Sequence, residues 1–235
     1  MDSAVVIVQK GQLNELVSIF NDGYDITLQS NDGISLLHWA SINNRVEIMR
    51  FLVSNGCNVN CKGGTLISTP LHWAVRQASY DAIVYLINEC QADTTILDKE
   101  GYSIIHLSLF FGTTALISYL FAKNLDMNIR DAKGYTPLMV AAKFIHKQNT
   151  TRTLLLLGLD PFIKLPDSGK CAVHIAVECK NSFSLNDHLS IYPNCIDQCD
   201  DSVYFISCFN CETFPHAKQR RNPILFHNIA NKIIN

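Results

Sequence analysis

LHWASINNR, from Leu37, and LHWAVRQAS, from Leu71, repeat Leu-His-Trp-Ala 34 positions apart and use both of the chain's tryptophans, Trp39 and Trp73. Working outward, SLLH (35–38), TPLH (69–72), SIIH (103–106), TPLM (136–139) and CAVH (171–174) share the frame. Their last positions, 38, 72, 106, 139 and 174, are separated by steps of 34, 34, 33 and 35. Gly33, Gly101, Gly134 and Gly169 each precede a frame at a set distance. A second apolar pattern of helical spacing follows each frame, as in VEIMRFLVSNG and AIVYLINECQA, and a polar loop closes the unit. Self-similarity at such a period marks a stacked repeat architecture and has to be read before anything else.

Each unit carries its own local instructions. Ser or Thr at the head of the frame caps a first helix, and Pro70 and Pro137 fall in the first turn, where a proline costs nothing. Ala40, Ala74, Ser108, Ala141 and Ala176 are small enough to let neighbouring helices approach. AVVIVQKGQLNELVSIFNDGYD is a divergent first unit, with Gly23 standing 33 positions before Gly56. A helix–turn–helix–loop of this period resembles the ankyrin repeat. The resemblance implies an all-α solenoid of stacked helix–turn–helix units with loop tips. No single unit can bury its apolar face; stacking makes the core continuous. The predicted organisation is a repeat domain over 1–180 and an irregular tail over 181–235.

Composition narrows the function classes. A net charge of −2 over 235 residues, with Lys218-Gln219-Arg220-Arg221 as the one basic run, argues against a nucleic-acid surface. Nine cysteines without patterned spacing, and no signal-peptide pattern around AVVIV, predict free thiols in a reducing, cytoplasmic compartment. Tyr102 to Ala122 is long and apolar enough to span a bilayer, but it lies in register with the repeat, and Gly112-Thr113-Thr114 falls where the turn between paired helices belongs. It is predicted to be two buried helices, with no transmembrane span. His38, His72, His106 and His174 share one frame and are expected to be interior hydrogen-bonding posts rather than ligands.

In ankyrin-like units the residue after the frame's histidine position points into a concave groove. Trp39, Trp73, Leu107, Val140 and Ile175 hold that position here. Residues four further on lie on the same helical face: Asn43, Gln77, Phe111 and, less regularly, Phe144. The expected site is a ladder of large apolar groups with two amides at its N-terminal end. Trp39, Trp73, Leu107 and Phe111 would supply area, and Asn43 and Gln77 would bond the main chain of an extended peptide. The competing reading folds both indoles back over the short helices as core.

LLHWASINNRVEIM, GGTLISTPLHWAVRQ and GYTPLMVAAKFIHKQNTTRTLLLLGLD make residues 4–178 similar to the ankyrin domain of the Asp-His-His-Cys palmitoyltransferases of the huntingtin-interacting type. That resemblance implies a cytosolic domain, on Golgi or other endomembranes in a full-length enzyme. Such a domain recruits substrates by holding a β-branched pair followed by Gln-Pro. The family's groove tryptophan falls on Trp73 and its peptide-binding asparagine on Asn43. The enzymatic half is not carried: Asp187-His188 continues as Leu189-Ser190, and no Asp-His-His-Cys motif occurs in the sequence. The expected role is a monomeric, non-catalytic, peptide-binding module with no cofactor and no metal. The alternative is a fragment of a membrane-bound protein S-palmitoyltransferase. After Lys180 the frame is lost, and Cys195, Cys199, Cys208 and Cys211 lack the paired spacing of a zinc site. The last repeat is expected to be half built, with its apolar side open from about residue 171.

Overall fold

The computed structural model describes residues 3–144 and 149–192. Among them the chain forms six helix pairs: α1 Ser3–Lys10 with α2 Leu13–Asn21, α3 Leu36–Ile42 with α4 Val46–Ser54, α5 Pro70–Gln77 with α6 Tyr80–Asn88, α7 Ile104–Phe111 with α8 Thr114–Ala122, α9 Pro137–Lys143 with α10 Thr150–Leu156, and α11 Ala172–Glu178 with α12 Ser182–Ile191. The odd-numbered helices pack in one row from α1 to α11, and their even-numbered partners form the second layer. The fold is an all-α repeat, as the frame predicts.

The frame works as a set of capping boxes. Ser35, Thr69, Ser103, Thr136 and Cys171 sit in extended backbone at the N-caps of α3, α5, α7, α9 and α11. The N3 side chain three residues on reaches back to the cap's own N–H. Ser35 N–H donates to His38 Nδ1 at 3.1 Å, Thr69 N–H to His72 Nδ1 at 3.3 Å and Cys171 N–H to His174 Nδ1 at 3.2 Å. With Nδ1 accepting, the proton lies on Nε2. His38 Nε2 then donates to the Ser68 carbonyl at 2.9 Å, and His106 Nε2 to the Tyr135 carbonyl at 3.2 Å. Each of these two imidazoles therefore ties its helix to the loop that opens the next unit. His72 Nε2 is buried without a hydrogen bond of standard geometry, and the backbone of Tyr102 and Ile96 stands nearest in that role. The small residues of the frame are all buried, which allows the helix row its close spacing.

Loops between pairs form short fingers closed by backbone bonds: Ser30 N–H to Ile34 O, Gly63 N–H to Ser68 O, Asp98 N–H to Tyr102 O, Asp131 N–H to Tyr135 O and Leu165 N–H to Lys170 O. Adjacent fingers are also stitched together, by Lys99 N–H to Leu66 O at 2.7 Å and Ala132 N–H to Gly101 O at 3.2 Å. Asp98 and Asp131 each accept from two N–H groups of their own finger through Oδ1.

The apolar stretch Tyr102–Ala122 is divided at Gly112-Thr113 into α7 and α8, of 8 and 9 residues. Among the described residues no helix is long and apolar enough to cross a membrane. Ile104, Ile105, Leu107, Leu116, Ile117 and Leu120 are buried in the continuous core.

One expectation needs correction. The sequence reading stops the repeat near Lys180 and leaves the last unit half built, yet residues 182–191 form α12 against α10 and α11. Asn181 makes this possible: its Oδ1 caps Ser184 N–H at 3.0 Å while its Nδ2 donates to the Ala142 carbonyl at 2.9 Å. Leu185 and His188 then close over the core. The helix is weakly amphipathic in sequence, so apolar periodicity could not find it. The four cysteines of the tail, Cys195 to Cys211, lie outside the described residues.

Candidate functional site

The inner face of the N-terminal units carries the two tryptophans. Trp39 on α3 and Trp73 on α5 are half-buried and meet edge to face, with ring centroids 5.5 Å apart at 84°. Trp73 also stands 5.1 Å from the His38 ring at 66°, so its inner edge is held by two aromatic contacts. The finger between α4 and α5 rests on its other side. A Cβ at Gly64 would come within 3.2 Å of Trp73 Cζ2, and Ile34 lies beside the same position. With φ at +76°, Gly64 lets the backbone touch the indole where a side chain would collide. The pair is therefore fixed at its base by these contacts, and both rings are only partly buried, Trp39 packing in part against the core.

Around the pair the predicted residues divide. Asn43 is the C-cap of α3 and half-buried; its Nδ2 donates to the Trp39 carbonyl at 2.8 Å, which holds the amide in place and leaves Oδ1 as an acceptor. Gln77 ends α5 and is exposed. Phe111 ends α7 with 43% of its surface exposed. Leu107 does not belong with them. It is 1% exposed, and Val140 and Ile175, the next rungs, are buried as well. A ladder along the whole stack is thus not present. Aliphatic side chains at this position are covered by the adjoining inner helices, whereas an indole is too large to be covered. Phe144 packs edge-on against Phe110 at 5.1 Å and extends the core rather than the rim.

Arg76 is the residue that the periodicity argument overlooks. Its guanidinium lies 5.6 Å from the Phe111 ring, and its Nη2 contacts the buried Asp98 at 2.5 Å and Glu100 at 3.9 Å. It joins α5 to the third finger and fills the space between Trp73's helix and Phe111. The signal is its place one residue before Gln77, off the face on which Trp73 and Gln77 lie.

The electrostatics suit binding, not proton transfer. Burial pushes His38 down to about 4, against the opposing pull of the Ser68 carbonyl, and burial lowers His72 and His106 as well. All three imidazoles are neutral at physiological pH. The buried thiols move the other way: desolvation pushes Cys57 up to about 11 and raises Cys61. Neither is a thiolate nucleophile. Outside the groove, a shallow apolar depression of about 390 Å³ lies between α6 and α8, lined by Tyr80, Ile83, Val84 and Tyr119.

Comparisons with known proteins agree with this architecture. The family model for ankyrin repeats matches residues 5–98 and 71–165. Over 163 residues the chain is 39% identical to human palmitoyltransferase ZDHHC13, covering 69% of this chain and 26% of that protein. It is 37% identical over 182 residues to palmitoyltransferase Hip14 of Drosophila melanogaster, covering 77% and 28%. A putative palmitoyltransferase ZDHHC13 of Danio rerio is 37% identical over 147 residues, covering 63% and 23%. The chain thus spans about a quarter of the length of the curated relatives it matches. Among solved structures, a chain from the Bd0816 predatory endopeptidase of Bdellovibrio bacteriovorus in complex with immunity protein Bd3460 superimposes with a TM-score of 0.68. It is 22% identical and covers 80% of this chain and 96% of that one, a likeness of fold alone.

Proposed function

The chain belongs to the ankyrin-repeat family, and from that premise we propose that it is a peptide-recruiting module that holds an extended segment of another protein against Trp39 and Trp73. The observation that carries this reading is the edge-to-face tryptophan pair, clamped by His38 and Gly64 with both rings left partly exposed. A rigid aromatic surface offers area with little side-chain entropy to lose, which is why such residues dominate binding energies. Asn43 Oδ1 accepts a main-chain N–H of the guest, Gln77 bonds on the solvent side, and Phe111 extends the apolar floor.

The test is direct titration with a synthetic peptide containing a β-branched pair followed by Gln-Pro, read by the intrinsic fluorescence of the two tryptophans and by calorimetry. Trp73→Ala should weaken binding by about 30-fold or more, the loss of a central anchor worth 2 kcal/mol or above. Equal affinity in wild type and Trp73→Ala refutes the groove reading.

A second reading is favoured by the palmitoyltransferase relatives. In it, this chain is the substrate-docking part of a membrane-bound protein S-palmitoyltransferase, facing the cytosol at endomembranes, and the same groove presents the target to a catalytic segment elsewhere. An antibody against residues 4–178 separates the two. A single cytosolic species of 26.4 kDa favours the free monomeric module; a larger membrane-bound species favours the enzyme.

A further inference from the structure

The finger that leans on Trp73 breaks a rule kept by the other four. In each of those, the residue just before the closing position is a glycine in the left-handed region: Gly33 at φ +75°, Gly101 at +86°, Gly134 at +80° and Gly169 at +66°. In the finger between α4 and α5 the slot precedes Ser68 and is filled by Ile67 at φ +48°. Left-handed backbone is strained for an L-residue, and β-branched residues are the least suited to it. Burial within the chain does not offset that cost, because Ile67 is 48% exposed.

The strained residue is held firmly and close to the groove. Gly63 and Ser68 exchange two backbone hydrogen bonds, at 2.9 and 3.0 Å, enclosing a tip of four residues where the finger of Asp98 and Tyr102 encloses three. Ile67 N–H donates to the Gly64 carbonyl at 3.0 Å, and Gly64 is the residue lying on the Trp73 ring. Leu66 O, next to Ile67, accepts Lys99 N–H at 2.7 Å from the following finger. The tip is therefore pinned on three sides, and the backbone of Ile67, whose side chain is exposed, stands one hydrogen bond away from the residue that touches the indole.

The geometry points to Ile67 as a specificity-determining residue of the groove: it receives an apolar side chain of the guest peptide, next to the part of the peptide that lies on Trp73. This inference rests on the groove reading. Strain retained at an exposed position is characteristic of a ligand clamp, where the surroundings enforce the geometry and the bound partner uses it. Glycine in the slot would relieve the strain and lose the contact.

The experiment compares wild type, Ile67→Gly, Ile67→Asn and Trp73→Ala in the peptide titration above, with urea midpoints measured in parallel. Gly and Asn both enter the left-handed region readily. Either substitution should leave the midpoint equal or higher and weaken peptide binding by roughly five- to tenfold, the loss of a half-buried aliphatic contact. Replacing the peptide's β-branched pair by Ser-Ser should weaken wild type and have a smaller effect on Ile67→Gly. Unchanged affinity in both Ile67 variants, with Trp73→Ala impaired, overturns the role of Ile67 and spares the groove. Unchanged affinity in all three overturns both. A lowered midpoint in both Ile67 variants makes the residue a structural support and likewise overturns the inference.

Discussion

Acid should loosen this fold well before its carboxylates titrate, and the frame histidines set the amount. His38 is fully buried and neutral, with burial holding it near 4 against an ordinary value of 6.5. The sign follows from proton binding. In the window between these values the unfolded chain takes up a proton that the folded chain refuses, so the stability from a neutral His38 is present above 6.5 and is lost as pH falls toward 4. At about 1.36 kcal/mol per pH unit the full loss is roughly 3 kcal/mol, of which about 2 kcal/mol is gone by pH 5. His72, His106 and His188 are lowered by burial as well and act in the same direction. Asp25, Glu89 and Asp93 are held below the ordinary carboxylate range by their hydrogen bonds and respond only at lower pH. Asp187, raised by burial, works in the opposite sense. The interval from pH 6.5 to 5 therefore reads the imidazoles.

Urea unfolding followed by circular dichroism at half-unit steps across that interval measures the loss. His38→Gln isolates the contribution of one imidazole, since glutamine at N3 can accept from the Ser35 N–H as capping boxes commonly require, without titrating. The wild type should lose at least 2 kcal/mol between pH 6.5 and 5, and the His38→Gln slope should be shallower by about 2 kcal/mol. A wild-type stability flat to within about 0.5 kcal/mol over this range would refute the assignment of His38 as a buried neutral post.

Three further changes probe the scaffold. Gly101→Ala places a Cβ 2.1 Å from the Cβ of Ala132 at φ +86°, so it should separate the third and fourth fingers and cost about 2–4 kcal/mol in urea unfolding. Asp98→Ala strands Arg76 and two finger N–H groups; with Arg76 partly in solvent, we expect about 2–3 kcal/mol, and calorimetric melting checks it. Asn44→Ala removes the bond from Ala82 N–H and the one to Asp81 while leaving alanine at φ +54°, for a loss of about 1–2 kcal/mol seen as a lower midpoint.

The repeat was legible because several weak signals recur at one pitch. Cap, N3 histidine, small residue and finger glycine each mean little alone, and together they placed five of the first helices. The tryptophan pair was legible for the same reason. Leu107 was misread because the frame tells which way a side chain points but not whether neighbouring helices cover it; that depends on volume, and leucine is small enough to be enclosed. Arg76 escaped notice because its significance lies in a contact 22 residues away, with Asp98. The last helix was missed because its stability comes from one side chain, Asn181, bridging to Ala142 across 39 positions, and no local pattern records such a bridge.

The divided segment from Tyr102 to Ala122 has a consequence for how the protein is made. On a ribosome, before the units on either side exist as folded structure, this uncharged stretch offers membrane-insertion machinery the same cue as an anchor. Only docking of the preceding and following units converts it into interior. Chains released before residue 137 would leave the α8 flank bare, without the later units that cover it; the middle of the molecule thus depends on synthesis running past it.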